Sequence, residues 1–332
     1  MRMHNADETC GIAQAALVLG DWWNVLVLRE VARGHVRFDA LAAEIGLSRK
    51  VLTERLGRLV ASGVLRRSLY QRRPVRYEYL LTDSGAALLP LLVAMQDWGD
   101  RWVLGDGSVT ATAAEDGAEH ARVHALVGTR LPGDLRLPGT HGPDPLPLVA
   151  PDAPATVLFT YPGTGVAWGD PPIPGAVGCT LENRLFRDSW PAFRQAGVDV
   201  RGISTQLVPE QEEFARAEGV PYPLLSDAAH RFAAALRLPT FRGAGRLRHK
   251  RLVLVVDGER TVRHALFPVV DIPDAVERSL RLAAALGEAP AARDEGATGK
   301  APAVKGTAAV GEAPAAPAAP PPGQGRAPGS AH

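Results

Sequence analysis

The chain has 332 residues, 37 Lys plus Arg against 36 Asp plus Glu, and two cysteines. Two cysteines exclude a disulfide framework and a Cys-rich zinc or iron–sulfur site, and no apolar run approaches the roughly 18 residues of a membrane span. The 34 glycines and 28 prolines are more than two tidy domains absorb, so the length implies two domains with added linker or tail.

The start of the chain is polar and of mixed charge, without the basic-then-apolar order of a signal peptide. A cytoplasmic chain with reduced thiols and no membrane partner is therefore expected. Composition divides the rest into a first block at 1–104, a small, polar, aperiodic linker at 105–126, a second block at 127–286 and a tail at 287–332. The tail is dominated by Ala, Pro and Gly with no aromatic residue. Such a segment cannot bury enough apolar surface to order itself, so disorder is expected there.

In the first block, Trp22, Trp23, Val25, Leu26, Leu28 and Val31 recur at helical spacing and stop at Gly34. Residues 38–45 read as a second short helix closed by Gly46. Ser48 stands where an N-cap belongs, before a third helix over 49–61 that ends at Gly63. Residues 64–70 and 77–81 read as strands joined by Gln71-Arg-Arg-Pro-Val-Arg76. Thr82 is the expected cap of one long helix running through Leu92 and Trp98. Helix, turn, helix and β-hairpin in this order make an α+β winged helix-turn-helix.

Residues 49–76 carry nine basic side chains and only Glu54 as an acid. That imbalance on the third helix and wing is the footprint of a duplex binder. Leu52, Leu56 and Leu59 form the buried stripe, so Lys50, Thr53 and Arg58 face outward with Ser48 and Arg49 at the helix start. Arg49, Lys50 and Thr53 are placed to meet base edges. Arg72, Arg73 and Arg76 in the wing are placed to meet phosphates. The competing explanation is a solvated basic face.

The motifs Cys10-Gly-Ile-Ala, Leu19-Gly-Asp-Trp-Trp23, Arg37-Phe-Asp-Ala-Leu41, Ile45-Gly-Leu-Ser48, Leu52-Thr-Glu-Arg-Leu56, Pro74-Val-Arg-Tyr-Glu-Tyr79 and Leu81-Thr-Asp-Ser-Gly85 resemble the HxlR family of bacterial transcription regulators. The resemblance implies a homodimer on a double-stranded operator, with the helix over 86–102 as the main dimer element. It also makes Cys10, just before the first helix, a candidate redox sensor. The alternative for Cys10 is a small buried hydrophobe.

In the second block, residues 157–161, 198–203 and 252–256 are short apolar runs of buried-strand type. Helical stretches at 182–195, 209–218, 227–237 and 273–286 fall between and after them, which makes an α/β domain. Cys179 sits in Gly178-Cys-Thr180, directly before a helix expected from about Leu181. Unpaired N–H groups and the dipole at a helix start favour thiolate, so a lowered thiol pKa is expected. Lys250 and Arg251 open the last strand and are candidates to bring a cation to that sulfur. An inert loop cysteine is the bland alternative.

Tyr161-Pro162, Ile173-Pro-Gly-Ala-Val-Gly-Cys-Thr180, Phe186-Arg-Asp188, Gly202-Ile-Ser-Thr-Gln206, Pro223-Leu-Leu-Ser-Asp227 and Arg251-Leu-Val-Leu are similar to a peroxiredoxin of the AhpC/TSA type. The similarity implies a thioredoxin-like fold with Cys179 as the peroxidatic cysteine and Arg251 as its partner. Tyr161, Pro162 and Thr180 would belong to the active-site loop, a peroxide would be the substrate and an external thiol the reductant. Three positions depart from the family. Ala176 stands where the family has Thr or Ser, the loop from Pro162 to Cys179 is longer than usual, and Arg184 stands where close relatives often carry a resolving cysteine. Any turnover would then be of the one-Cys type. No metal-ligand spacing, P-loop or dinucleotide-binding glycine pattern is present, so no metal and no cofactor are expected.

Taken together, the sequence describes a multi-domain regulator, probed most simply as redox-responsive. The alternatives are an independent thiol peroxidase joined to a DNA-binding domain, and a plain regulator with an inactive redoxin domain.

Overall fold

Helix α1 (Gly11–Leu19) opens the first block with Cys10 as its N-cap residue. Asp21 then caps α2 (Trp22–Ala32), its carboxylate accepting from the Trp23 N–H. Helix α3 (Phe38–Ile45) stops where Gly46 turns left-handed at φ 71°, a conformation glycine adopts without a Cβ clash. Two residues later Ser48 accepts from the Val51 N–H and starts α4 (Arg49–Ala61). A computed structural model describes residues 10–103, 111–170 and 172–288, and all of these fall within one compact unit. Residues 105–110 of the expected linker and residues 289–332 of the tail expected from 287 lie outside the described residues, whereas residues 287 and 288 end the last helix.

Leu52, Leu56 and Leu59 of α4 pack with Val27, Leu28 and Val31 of α2 and with Leu41 of α3. The wing is the antiparallel pair β1 (Leu65–Arg72) and β2 (Val75–Leu81). Both strands are longer than the apolar pattern predicts, pairing out to Arg72 with Val75. Pro74 falls in the turn, where its missing N–H breaks no ladder bond.

The helix expected to run on from Thr82 is in fact two. Thr82 Oγ1 accepts from the Gly85 N–H and starts the single turn α5 (Asp83–Ala86), and α6 (Leu89–Trp102) follows after a break. Pro90 explains the break: it has no N–H to give the carbonyl a turn earlier, and its ring crowds that carbonyl. Within the stretch expected to be an aperiodic linker, α7 (Ala118–His124) forms, and Val123 enters the core of the second block.

The second block opens with a short ribbon, β3 (Arg136–Leu137) and β4 (Leu146–Pro147). Its sheet is then built from β5 (Ala155–Thr160), β6 (Val198–Ser204) and β7 (Leu224–Ser226), all parallel. Helices α8 (Cys179–Gln195) and α9 (Val208–Glu218) make the crossovers. Helix α10 (Arg231–Leu236) leads into the ribbon β8 (Thr240–Gly243) and β9 (Arg246–His249). Strand β10 (Leu252–Asp257) adds antiparallel to β5, β11 (Val262–Leu266) adds antiparallel to β10, and α11 (Ile272–Glu288) closes the fold. The order is β7-β6-β5-β10-β11.

The two-residue period of a strand sends alternate side chains of β10 to opposite faces. Leu252, Leu254 and Val256 join the core under α7 and α10, whereas Val253 and Val255 join the core under α8 and α11. A mainly parallel centre, an antiparallel edge and helices on both faces make this a thioredoxin-like α/β fold, as the sequence led one to expect. Helix α8 begins at Cys179 rather than near Leu181, and α10 is shorter than the predicted 227–237 stretch.

The blocks are packed on each other. Leu89 and Val93 of α6 bury against Ala233 and Ala234 of α10 and Leu247 of β9. Gln96 donates to the carbonyls of Arg237 and Leu238, and Asp100 receives both ends of the Arg122 fork at 3.0 and 2.6 Å. The opposite face of α6 shows Leu91, Met95, Trp98 and Trp102 to solvent, with Trp102 64% exposed. Among the described residues no single helix is long and apolar enough to cross a membrane.

Candidate functional site

Three features bring chemistry to Cys179. Gly178, left-handed at φ 98°, turns the loop into α8 so that the cysteine is the first helical residue. Arg251, the residue before β10, reaches across and its Nη2 donates to Cys179 Sγ at 3.3 Å. The thiol itself donates to the Ala176 carbonyl at 3.4 Å. The same guanidinium donates to the carbonyls of Gly175 and Val177, and its Nε to the Glu182 carboxylate at 2.9 Å. Arg251 is thus fixed by four acceptors, counting sulfur, main chain and carboxylate together, of which only sulfur is a reactive atom.

The site is nearly dry, with Cys179 3% exposed. Burial pushes its thiol above the ordinary value; Arg251 pulls it back, Glu182 adds to the rise, and the Gly163 N–H lowers it again. The expected lowering is therefore corrected: at this helix start desolvation, aided by Glu182, outweighs the pull of Arg251 and the Gly163 N–H. Burial likewise raises the Glu182 carboxyl to about 7 against the pull of Arg251.

Tyr161 lies wholly buried beside Cys179, Phe186 and Tyr222 in the core under α8. Pro162 is buried too, and its carbonyl accepts from Arg248. Thr180 is half-buried on the first turn of α8. Ala176, at the position of the missing hydroxyl, is fully buried against Ala111 and Phe241. Arg184, at the resolving position, instead holds Glu218 in a two-pronged ion pair. The long loop is fastened by Trp168, which packs on Phe241 and lies under the Arg248 guanidinium.

Residues the sequence did not single out complete the site. Glu182 stands one turn along α8 from Cys179, a spacing that places both on one helix face. Asn183 holds the Cys179 carbonyl, and Tyr222 donates to the Asn183 carbonyl. Lys250 turns away from the sulfur and pairs with Glu119 of α7, both almost fully buried.

The first block offers a different surface. Arg49, Lys50, Thr53 and Arg58 are exposed along α4, as are Arg72, Arg73 and Arg76 in the wing. Thr53 spends its hydroxyl hydrogen on the Arg49 carbonyl, and Arg58 pairs with Glu54. Asp39 of α3 pairs with Arg49 and stands 3.6 Å from Arg76, while Arg55 turns inward to Asp21. Ser48 acts as the helix cap. Cys10 is a free, half-buried thiol, and its side chain makes no capping bond.

Glu30, His35 and Glu44, distant in no obvious ligand spacing, come within 4.8 Å of one another. Arg29 and Arg33 already neutralise Glu30, and Arg33 also reaches Glu44. This cluster is an ion-pair network with cations built into it.

Comparison with known proteins places both blocks. Residues 18–106 match the HxlR-like helix-turn-helix model, and residues 173–265 match the AhpC/TSA family model. An uncharacterized HTH-type transcriptional regulator of Bacillus subtilis, YvaP, is 37% identical over 101 residues, which are 30% of this chain and 94% of that protein. One from Synechocystis is 38% identical over 110 residues, 31% of this chain and 82% of its own. The chain spans 58% of the length of a similar Mycobacterium tuberculosis regulator, at 37% identity over 92 residues and 28% of this chain. Among solved structures, peroxidoxin BcpB from Mycobacterium tuberculosis is 29% identical, with 48% of this chain and 96% of that chain covered at a TM-score of 0.41.

Proposed function

Since the chain belongs to the HxlR-like helix-turn-helix regulators and also carries an AhpC/TSA-family domain, we propose that it is a DNA-binding regulator whose operator affinity responds to oxidation of Cys179. Lys50 with Arg49 and Thr53 reads bases from the start of α4, and Arg72, Arg73 and Arg76 hold phosphates. The exposed face of α6 pairs with a second copy, presenting two recognition helices to the operator.

One arrangement carries this reading: Arg251 touches the sulfur while its chain neighbour Lys250 grips the helix that ties the two blocks together. Lys250 pairs with Glu119 of α7, and Arg122 of α7 pairs with Asp100 of α6. A change at the sulfur that moves Arg251 therefore has a short covalent and ionic path to α6. Coupling of this kind needs two arrangements with different operator affinity.

The chemistry is balanced as follows. Cys179 loses its proton to solvent, and Arg251 faces the resulting thiolate. The sulfur attacks one oxygen of a peroxide, the O–O bond breaks, and the leaving alkoxide or hydroxide takes up a proton. Sulfur is oxidised to sulfenic acid and the peroxide is reduced to alcohol or water. An external thiol then forms a mixed disulfide with release of water, and a second thiol restores Cys179. Arg184 at the resolving position supports the one-Cys scheme.

The test uses DNA fragments selected in vitro for binding to the reduced full chain. Operator binding and peroxide consumption are measured for wild type, Cys10→Ser and Cys179→Ser, with and without peroxide. Peroxide is expected to change operator affinity in wild type and Cys10→Ser and to leave Cys179→Ser unaffected. Identical binding under all conditions would sink the proposal. A second reading, an assembly module without turnover, is favoured by the missing hydroxyl at Ala176 and the raised thiol. It predicts no peroxide consumption and no peroxide effect on DNA binding.

A further inference from the structure

A cavity of about 330 Å³ lies where α2 and α6 meet the end of α10. Its walls are mostly apolar, with Val25, Ala32 and Leu92 from the first block and Ala234 from the second. Its polar groups are almost all engaged elsewhere. Asp100 is held by Arg122, Arg29 by Glu30, and the Gln96 amide N–H group by main-chain carbonyls.

Arg237 is the exception. Its carbonyl accepts from Gln96 and Arg122, but its guanidinium enters no ion pair or hydrogen bond among the described residues. The residue is held left-handed at φ 52° just beyond α10, a backbone region that a side chain of this size occupies only when its surroundings impose it. Burial and then the like charges of Arg122, Arg29 and Arg33 push this guanidinium below its ordinary value, with Glu30 opposing them. This half-buried guanidinium, beside three other arginines and at the edge of an apolar cavity, has no anion bonded to it among the described residues.

We propose that this cavity binds a small amphipathic carboxylate, its head group on Arg237 and its apolar body between α2 and α6. A carboxylate matches the planar fork of arginine with two parallel bonds. The volume lies at the lower end of ligand pockets, which suits a single medium-length chain or one ring. Because both blocks contribute walls, a bound molecule stabilises their docked arrangement over any looser one. The site does not depend on the thiol.

Decanoate is the probe, titrated below its micelle concentration by calorimetry into the full chain carrying Cys179→Ser, so that the result is independent of the redox proposal. Decanol and decylamine, which keep the apolar body and change the head, are the controls. Two variants test the two ends of the site. Arg237→Gln removes the cation. Gly99→Leu fills the cavity from α6, where an added Cβ meets nothing within 4 Å and leucine is a better helix former than glycine. Saturable binding of decanoate is expected, at least about tenfold weaker in either variant and for either control, with thermal unfolding showing both variants folded. Equal binding of decanol, or decanoate binding indifferent to both variants, would overturn the assignment. So would no saturable decanoate binding, the result expected if a second copy of the chain covers the cavity.

Discussion

Along α4 and the wing, Lys50, Arg72 and Arg73 stand in solvent with no ion pair among the described residues, whereas Lys250 and Arg251 are almost fully buried and each holds one acid. The first set is suited to a large external anion, since exposed cations keep their hydration until the partner displaces it and their fields add over a face. The second set is suited to position. A buried cation is stable only with its charge answered in place, so its partner fixes where two elements lie relative to each other. The same residue types thus serve recognition on one side of the molecule and alignment on the other.

The sharpest way to break that contrast is Glu119→Ala. It leaves Lys250 buried without its carboxylate, and losing one member of a buried pair typically removes about 3–5 kcal/mol. Urea unfolding of the full chain should show that loss, whereas Lys50→Ala should change stability by no more than about 0.5 kcal/mol. Similar small losses for both would mean that Lys250 is not an alignment residue.

A smaller effect separates residues within the exposed set. Lys50→Ala should weaken operator binding by about 1–3 kcal/mol and relax preference at one base position, if it reads a base edge. Arg73→Ala should weaken all sequences alike and reduce the salt slope by about 1. Binding curves at several salt concentrations, on selected and scrambled DNA, distinguish the two. Loss of sequence preference in Arg73→Ala would reverse the assigned roles.

The exposed set was legible because the period that buries Leu52, Leu56 and Leu59 also dictates which side chains face out. Even there, counting charges within residues 49–76 overstated the imbalance, because Asp39 and Asp21 enter from other helices to meet Arg49 and Arg55. At the cysteine, the sulfur and Arg251 could be named from short motifs. Glu182 is not legible although it sits on the same helix face, since an acid in a polar helix looks like a solvated one until its burial is known. Lys250 and Glu119 are 131 residues apart in sequence, and no local pattern links them. The helix break before Pro90 was readable from Pro90 itself, but the apolar residues on both sides of it suggested continuity. The raised thiol is not legible, because a helix start is visible in sequence and the loss of water around it is not.

The smallest change expected is a shift in titration alone, and it tests whether Glu182 belongs with the alignment set or also tunes the sulfur. Glu182→Gln keeps an oxygen for the Arg251 Nε and removes only the negative charge. That charge raises the Cys179 thiol, so the variant should move the pH profile of Cys179 alkylation toward lower pH. The size of the effect depends on the protonation of the wild-type carboxyl, which burial raises to about 7. Above that value the wild-type acid is ionised and opposes the thiolate, so the variant should react a few-fold faster. Below it the wild-type acid is already neutral, and the two rates should converge. Iodoacetamide labelling in the Cys10→Ser background isolates the one thiol. A uniform change in rate across the whole pH range would instead mean that the substitution had displaced Arg251, leaving Glu182 with a purely positional role.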